Sequence, residues 1–163
     1  VRHFESLLAS KLPLPQVHQL ELHPLCRQQE VVDWCRLHGI ALEAYSPLAQ
    51  GRKELFGHPN LAEARKLSTT IPTGGGGEAA GTPLSNAQCL LLWSFANGFT
   101  PLVRSTKREH IKDNFATQLL ATKLGMSNPQ IKQITDLVDR INRKKDGSTV
   151  EDLHVCWHSH IVP

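Results

Sequence analysis

The chain has 163 residues, of which 40% are hydrophobic and 20% are charged. This composition is ordinary for a globular protein, and the length suits one domain but not a closed eight-stranded β/α barrel, which needs roughly 200 residues or more. The net charge of +3 is too small to indicate nucleic-acid binding, and no apolar run approaches the ~20 residues of a membrane-spanning helix.

The first part of the chain alternates between helix and strand patterns. An amphipathic helix is already under way at Val1, which is not an initiator methionine and has no cap before it, so we expect a preceding part to be missing. After a proline-containing break, the patterns predict in order a strand at 17–22, a helix at 27–37 that ends at Gly39, and a strand at 40–44. This alternation favours an α/β fold with a parallel sheet and helices packed outside it.

The middle of the chain contains a segment without periodicity. A short helix is predicted at 59–67, and residues 68–82 then include four consecutive glycines in a setting rich in Ser, Thr, Pro and Ala. A phosphate-binding loop would need a preceding strand and usually a following Lys, and neither is present, so we interpret 68–82 as a flexible insertion.

Helical periodicity returns after the insertion. The cap is Thr82 or Ser85, and the apolar face ends near Gly98. The remaining predicted elements are a strand at 99–103, a helix that runs through Asn114, and a last amphipathic helix that begins at Asn128-Pro129 and has its apolar stripe from Ile131 to Ile141.

The tail, residues 146–163, is predicted to be irregular. His154, Cys156, His158 and His160 alternate in it, but neighbours two apart on an extended segment are ~6.5 Å from one another, which is too far for ligands on one edge to close a tetrahedral site. We therefore expect an exposed or lid-like tail and no metal site.

The four cysteines are widely spread and form no C-x-x-C pair. They indicate reduced thiols of a cytoplasmic protein rather than a disulfide framework or zinc knuckle. Cys35 and Cys89 lie in apolar helical stretches, where a small core residue is a better interpretation than a nucleophile.

Three segments carry side chains suited to a ligand. Tyr45 follows an apolar strand and precedes a Gly-bounded loop. Its ring can lie against a planar heterocycle, or the segment can simply be a strand followed by a turn. Arg104 and its neighbours follow the third strand and begin a helix, so they can hold a phosphate or form a solvated turn. Gln19 can match a carboxamide or be satisfied by neighbouring backbone.

These segments read Val17-His18-Gln19-Leu20-Glu21-Leu22-His23-Pro24, Ala44-Tyr45-Ser46-Pro47-Leu48-Ala49-Gln50-Gly51 and Arg104-Ser105-Thr106-Lys107-Arg108-Glu109-His110-Ile111-Lys112-Asp113-Asn114. In this order and spacing they closely resemble the C-terminal half of the aldo-keto reductases. The resemblance implies that residues 1–145 are the last three strands of a (β/α)8 TIM barrel with their helices, interrupted by the insertion at 68–82 and followed by the tail.

The resemblance also implies a cofactor, NADPH or less often NADH, bound at the C-terminal ends of the strands. Gln19 would bond the nicotinamide carboxamide, and Tyr45 would stack on the nicotinamide ring. The pyrophosphate would lie along Ser46, Leu48 and Gln50. The adenosine 2′-phosphate and adenine would be held by a further set of side chains, namely Arg104, Ser105, Thr106, His110 and Asn114.

Two of these positions differ from the commonest family pattern. Arg104 stands where many members have Lys, which keeps the charge and adds a bidentate fork. His110 stands where many have Arg, and an imidazole is mostly uncharged at neutral pH, so the phosphate clamp is weaker.

The family's catalytic tetrad is the larger difference. Its proton donor is a Tyr supported by Lys, Asp and His from the first half of the barrel, whereas this chain has a single Tyr that the resemblance assigns to ring stacking. The sequence therefore predicts the cofactor-binding part of an N-terminally incomplete reductase of small aldehydes or ketones. The alternative is a truncated pseudoenzyme that acts as a nucleotide-binding or protein-interaction module.

Overall fold

The computed structural model describes residues 1–71, 83–143 and 151–155, and in them the chain forms a three-stranded parallel sheet. The strands are β1 Val17–Glu21, β2 Ala41–Tyr45 and β3 Phe99–Leu102, in the order β1-β2-β3. The last residues of the three strands are aligned, because Glu21 pairs with Tyr45 and Tyr45 pairs with Leu102. The predicted parallel sheet is thereby confirmed.

Seven α-helices are described around this sheet. They are α1 Arg2–Ala9, α2 Gln29–Leu37, α3 Lys53–Phe56, α4 Pro59–Ser68, α5 Asn86–Ala96, α6 Arg108–Leu124 and α7 Pro129–Asp139, and a 3-10 turn lies at Ala49–Gly51. In this part of the chain, none of the helices combines the length and apolar character needed to span a lipid bilayer.

The same device ends α2 and α5 just before the strands that follow them. Gly39 and Gly98 adopt φ angles of +69° and +72°, and their N–H groups donate to the carbonyls of Arg36 and Phe95. A left-handed residue at this position reverses the chain direction, and glycine adopts it without a steric penalty. The helix-to-strand turns are therefore encoded locally.

The helices described here cover one face of the sheet. Leu20, Leu42, Ala44 and Phe99 point to that face and are buried, and α4, α5 and α7 pack against one another beyond it. Much of the other face is open in the described residues, so that Val17 and Leu102 remain 47% and 40% exposed, whereas Glu21 at the end of β1 is buried. Gln19, Glu43 and Tyr45 lie on this open side by the two-residue period of a strand.

Helix α6 is longer than the sequence predicted. We expected a helix through Asn114, but it continues to Leu124 and ends at Gly125, whose φ is +73°. Only Thr117 and Leu120 of this helix are buried, so the added turns carry no apolar stripe for a periodicity argument to detect. Their Ala, Leu, Gln and Lys residues favour a helix by intrinsic propensity instead.

The two irregular segments are described only in part. Of the Gly-rich stretch, Ser68 ends α4 and residues 69–71 form a turn, while 72–82 lie outside the described residues. Of the tail, residues 151–155 have no regular secondary structure, and 144–150 and 156–163 lie outside the described residues. The flexibility of the insertion thus stays a prediction.

Candidate cofactor-binding site

A cavity of about 730 Å³ lies where the C-terminal ends of β2 and β3 meet the start of α6. Its volume falls within the ~300–1,000 Å³ that is usual for ligand pockets. Four segments line it: the loop after β2, the end of α3, the start of α5, and the loop from β3 into the first turns of α6. The lining residues that the sequence had predicted to bind cofactor are Ser46, Leu48, Gln50, Arg104, Ser105, His110 and Asn114.

The loop after β2 has an unusual backbone. Ser46, Ala49 and Gln50 have φ angles of 49°, 46° and 51°, the left-handed region that non-glycine residues rarely adopt. Gly51 follows with a φ of 74°. Such residues cost of order 1–3 kcal/mol each and cluster where a loop is shaped for a ligand. Here the tight turn directs the loop along the wall of the cavity.

The part of the cavity lining that comes from the loop between β3 and α6 is suited to an anion. Arg104 is exposed beside Ser105, whose Oγ accepts a hydrogen bond from the backbone N–H of Lys107 at 3.1 Å. Helix α6 begins one residue later without a side-chain cap, and its third residue, His110, lines the cavity. A guanidinium, a helix N-terminus and an imidazole thus face one space, and all three attract phosphate.

Gln19, Tyr45 and Thr106 do not line this cavity. The Gln19 amide donates to Glu43 Oε2 at 3.0 Å, across the pair that the two residues form in the sheet. Tyr45 is half-buried at the end of β2, next to Ser46. Gln19 and Tyr45 are therefore near each other on the open face of the sheet, and Thr106 is exposed ahead of α6.

Several lining residues were not singled out from the sequence. They are Phe56, Ser85, Asn86 and Asp113. Asn86 Nδ2 donates to the carbonyl of Phe56 at 2.8 Å, while its buried Oδ1 has no hydrogen-bond partner among the described residues. Asp113 directly precedes Asn114 in a motif that sequence comparison can detect, whereas nothing in the local sequence indicates that Asn86 reaches the cavity.

Cys35 and Cys89 are core residues, as the sequence predicted. Burial raises the pKa of the Cys89 thiol to about 12 and also raises that of Cys35, and neither side chain is exposed. A thiol with a raised pKa is almost entirely protonated at neutral pH, whereas the thiolate is the reactive form. Nucleophilic catalysis at these two positions is therefore not supported.

Comparison with known proteins gives a consistent set of relatives. A family model described as Aldo/keto reductase family matches residues 1–139. An uncharacterised oxidoreductase of Schizosaccharomyces pombe is 37% identical over 112 residues, which cover 68% of this chain and 34% of that protein. Glyoxal reductase of Bacillus subtilis is 33% identical over 115 residues, which cover 70% of this chain and 36% of that protein.

A solved structure agrees with these relatives. The crystal structure of an aldo/keto reductase from Brucella melitensis is 27% identical with a TM-score of 0.61, and the match covers 83% of this chain and 44% of that one. The chain spans about a third of the length of the two curated relatives.

Proposed function

Since the chain belongs to the aldo/keto reductase family, we propose that it forms the NADPH-binding part of an oxidoreductase that reduces small aldehydes or ketones to alcohols. Its fold is a partial (β/α)8 barrel, with three parallel strands inside and helices outside. Members of the family use NAD(P)H. The preference for NADPH, the carbonyl substrate and the reaction of the whole protein are parts of the proposal.

The observation that carries the proposal is the cavity at the ends of β2 and β3. One wall presents Arg104 and Ser105 beside the uncapped start of α6, a donor set that suits a phosphate ester. The other wall presents Leu48 and Phe56, and Asn86 Oδ1 is a buried acceptor without a partner among the described residues. A ligand that carries both phosphate and apolar groups, as a dinucleotide does, fits a cavity with one polar and one apolar part.

The residues of the chain bind and orient the cofactor, and the bound nicotinamide supplies the hydride. Arg104, with Ser105, Thr106, His110 and Asn114, is proposed to hold the adenosine end. The loop after β2 holds the pyrophosphate through Ser46, Leu48 and Gln50. Tyr45 would stack on the nicotinamide ring, and Gln19, whose amide now donates to Glu43, would bond the carboxamide.

The proton that the reduced carbonyl needs is not assigned to this chain. The family's donor is a Tyr with Lys, Asp and His partners, and the only Tyr in the chain is Tyr45, already placed in ring stacking. General acid catalysis contributes about 10²–10⁴-fold to such reactions. We therefore expect the chain to bind cofactor but to show no aldehyde turnover by itself.

Replacing Arg104 by Ala tests the cofactor assignment. Only NADPH carries the 2′-phosphate, so titrations followed by nicotinamide fluorescence are expected to show its dissociation constant rising about tenfold, and that of NADH changing by less than about twofold. Arg140→Ala, an exposed arginine at the end of α7, is the matched control and is expected to change neither. Equal losses for both cofactors would remove Arg104 from this role, and an unaltered chain that binds neither would refute the proposed function.

The second candidate is a protein-interaction or nucleotide-binding module without catalysis. It is favoured by the sheet, because β1 and β3 each have one strand neighbour in the described part of the chain and one sheet face is open. Unpaired strand edges readily add strands from another chain. Measurable aldehyde reduction by the chain would exclude this candidate and would also contradict the assignment of Tyr45.

A further inference from the structure

The described tail segment, residues 151–155, is hydrogen-bonded to the end of β1 and to the loop that follows it. The carboxylate of Asp152 accepts hydrogen bonds from the backbone N–H groups of Arg27 and Gln28 at 2.6 and 2.8 Å. Leu153 N–H donates to the carbonyl of Leu25 at 2.8 Å, and Val155 N–H donates to Glu21 Oε1 at 2.8 Å. These bonds hold both sides of residue 154 in place, so the position of His154 is defined by backbone contacts.

Three potential metal ligands meet at this position. His154 Nδ1 lies 3.4 Å from Cys26 Sγ and 3.6 Å from Glu21 Oε2, and one ligand atom from each residue lies within 4.8 Å of the other two. Cys26 and Glu21 are 0% and 1% exposed, whereas 31% of the His154 side chain remains accessible. Among the described residues, the three groups therefore lie together at one place, and His154 is on its solvent-accessible side.

We propose that Glu21, Cys26 and His154 bind a divalent cation of the zinc type. Zinc binds thiolate at ~2.3 Å and imidazole nitrogen or carboxylate oxygen at ~2.0–2.2 Å, so tetrahedral ligand atoms stand roughly 3.3–3.7 Å from one another. The two separations from His154 fall in this range. Carboxylate and thiolate together balance the charge of the ion, the thiol proton leaves to solvent on binding, and water occupies the fourth position on the solvent-accessible side.

The surroundings orient the carboxylate for this role. Its other oxygen, Oε1, is held by the N–H of Val155 and lies 3.1 Å from His23 Nε2, which leaves Oε2 facing His154. Hydrogen bonds of this kind around a ligand fix its direction and are part of most metal sites. The cation would join the loop after β1 to a segment 128 positions further along the chain.

This site differs from the arrangement considered from the sequence. The alternating residues His154, Cys156, His158 and His160 cannot close a tetrahedral site along one extended edge. The proposed ligands instead come from the end of β1, the following loop and the tail, and only His154 is common to both sets. Cys156, His158 and His160 lie outside the described residues.

Metal content and cobalt spectroscopy of the full 163-residue chain test the proposal. After loading with Zn²⁺ and dialysis, elemental analysis is expected to find one equivalent of zinc, and the Co²⁺ form is expected to show a near-ultraviolet thiolate-to-cobalt charge-transfer band. Cys26→Ala is expected to abolish the band. Glu21→Gln and His154→Ala are expected to weaken zinc binding by at least ~10-fold. Changing a residue that only hydrogen-bonds to a metal ligand typically lowers the affinity by that much, so the loss of a ligand should lower it at least as far.

Matched controls separate the site from the rest of the chain. Cys35→Ala, another fully buried cysteine, and His3→Ala, an exposed histidine of α1, are expected to keep the metal and the band. The triple variant Cys156→Ala, His158→Ala, His160→Ala is also expected to keep both. Loss of zinc in the triple variant with retention in Cys26→Ala would overturn the proposal in favour of a site in the tail.

Two further outcomes would overturn the proposal without any variant. An unaltered chain that retains less than about a tenth of an equivalent of zinc after dialysis would show that the cluster is held by hydrogen bonds alone. A cobalt form without the thiolate band would exclude Cys26 as a ligand, even if the Cys26 variant failed to fold. Circular dichroism of each variant identifies such failures.

Discussion

At the scale of single residues, the adenosine end of the proposed cofactor site depends on which side chains carry a permanent charge. Arg104 carries a permanent positive charge on a planar guanidinium that can bind a phosphate through two parallel hydrogen bonds, whereas the His110 imidazole cannot make such a contact. Both line the cavity, and His110 is the third residue of α6, where backbone N–H groups without intrahelical partners also point. The proposed 2′-phosphate site therefore consists of a few exposed groups, among which Arg104 supplies the guanidinium.

Replacing His110 by Arg is expected to strengthen NADPH binding. A second guanidinium adds a charge-assisted, bidentate contact to the 2′-phosphate, so the dissociation constant of NADPH is expected to fall about three- to tenfold at low salt and that of NADH to stay within about twofold. Isothermal titration calorimetry of both cofactors measures this. Lys112→Arg, an exposed control on the same helix, is expected to change neither constant; no gain in the His110 variant would place the phosphate elsewhere.

At the scale of elements, helix starts carry most of the local signals. The Ser85 and Gln88 side chains form a capping box at α5, and the Asn128 side chain accepts from the N–H groups of Gln130 and Ile131 at α7. Proline occupies the first position of α4 and α7. Caps of this kind satisfy donors that the helix itself leaves open.

The cap of α7 provides a stability prediction that is independent of the cofactor site. Asn128→Ala removes the acceptor of two backbone donors and is expected to lower the free energy of unfolding by about 1 kcal/mol. Urea unfolding followed by circular dichroism measures this change. The neighbouring Ser127→Ala is expected to stay within about 0.5 kcal/mol of the unaltered chain, and a larger loss there than at Asn128 would contradict the capping role.

At the scale of the whole molecule, a polar junction around Asp139 connects separate elements of the fold. Asp139 at the end of α7 accepts from Arg27 Nη1 at 2.7 Å and from Trp93 Nε1 at 3.1 Å. The Arg27 guanidinium is nearly buried and lies 5.2 Å from the centre of the Trp93 ring, and Arg143 pairs with the other Asp139 oxygen. The junction thus joins α5, α7 and the loop after β1.

The junction predicts how stability depends on pH. Burial by itself raises the pKa of Asp139, but hydrogen bonds from Arg27 and Trp93 and the nearby charges outweigh it, so the net pKa is lowered. A carboxyl with a lowered folded pKa stabilises the fold above its unfolded pKa of about 4, and this contribution is lost as the pH falls through the folded value.

Asp139→Asn tests this dependence. The variant is expected to lose on the order of 2 kcal/mol at neutral pH, since it leaves a buried guanidinium without a charged partner, and the difference from the unaltered chain is expected to shrink below about pH 4. Urea midpoints across the pH range measure it. Asp136→Asn, which removes an exposed pair with Lys132, is the control and is expected to change stability by less than about 0.5 kcal/mol at any pH. A difference that did not depend on pH would contradict the assigned charge.

The order and kind of most elements could be predicted from the sequence, because their signals lie between close neighbours. Gly39 and Gly98 mark helix ends, Asn128-Pro129 marks a helix start, and the strands predicted at 17–22, 40–44 and 99–103 match β1, β2 and β3 within one residue at each end. The family motifs likewise consist of adjacent residues, so two of the segments that line the cavity, the loop after β2 and the loop from β3 into α6, were identified without coordinates. The roles of the individual side chains there remain proposals.

Contacts between distant positions were decided only by the tertiary structure. Nothing near Arg27 indicates Asp139 as its partner, and nothing near His154 indicates Cys26 or Glu21. The sequence also gave no reason to expect Asn86 in the cavity wall, or the amide of Gln19 bonded to Glu43. The physical reason is that periodicity, capping and turn chemistry act over a few residues, whereas the packing of helices against the sheet selects which side chains from separate segments share one space.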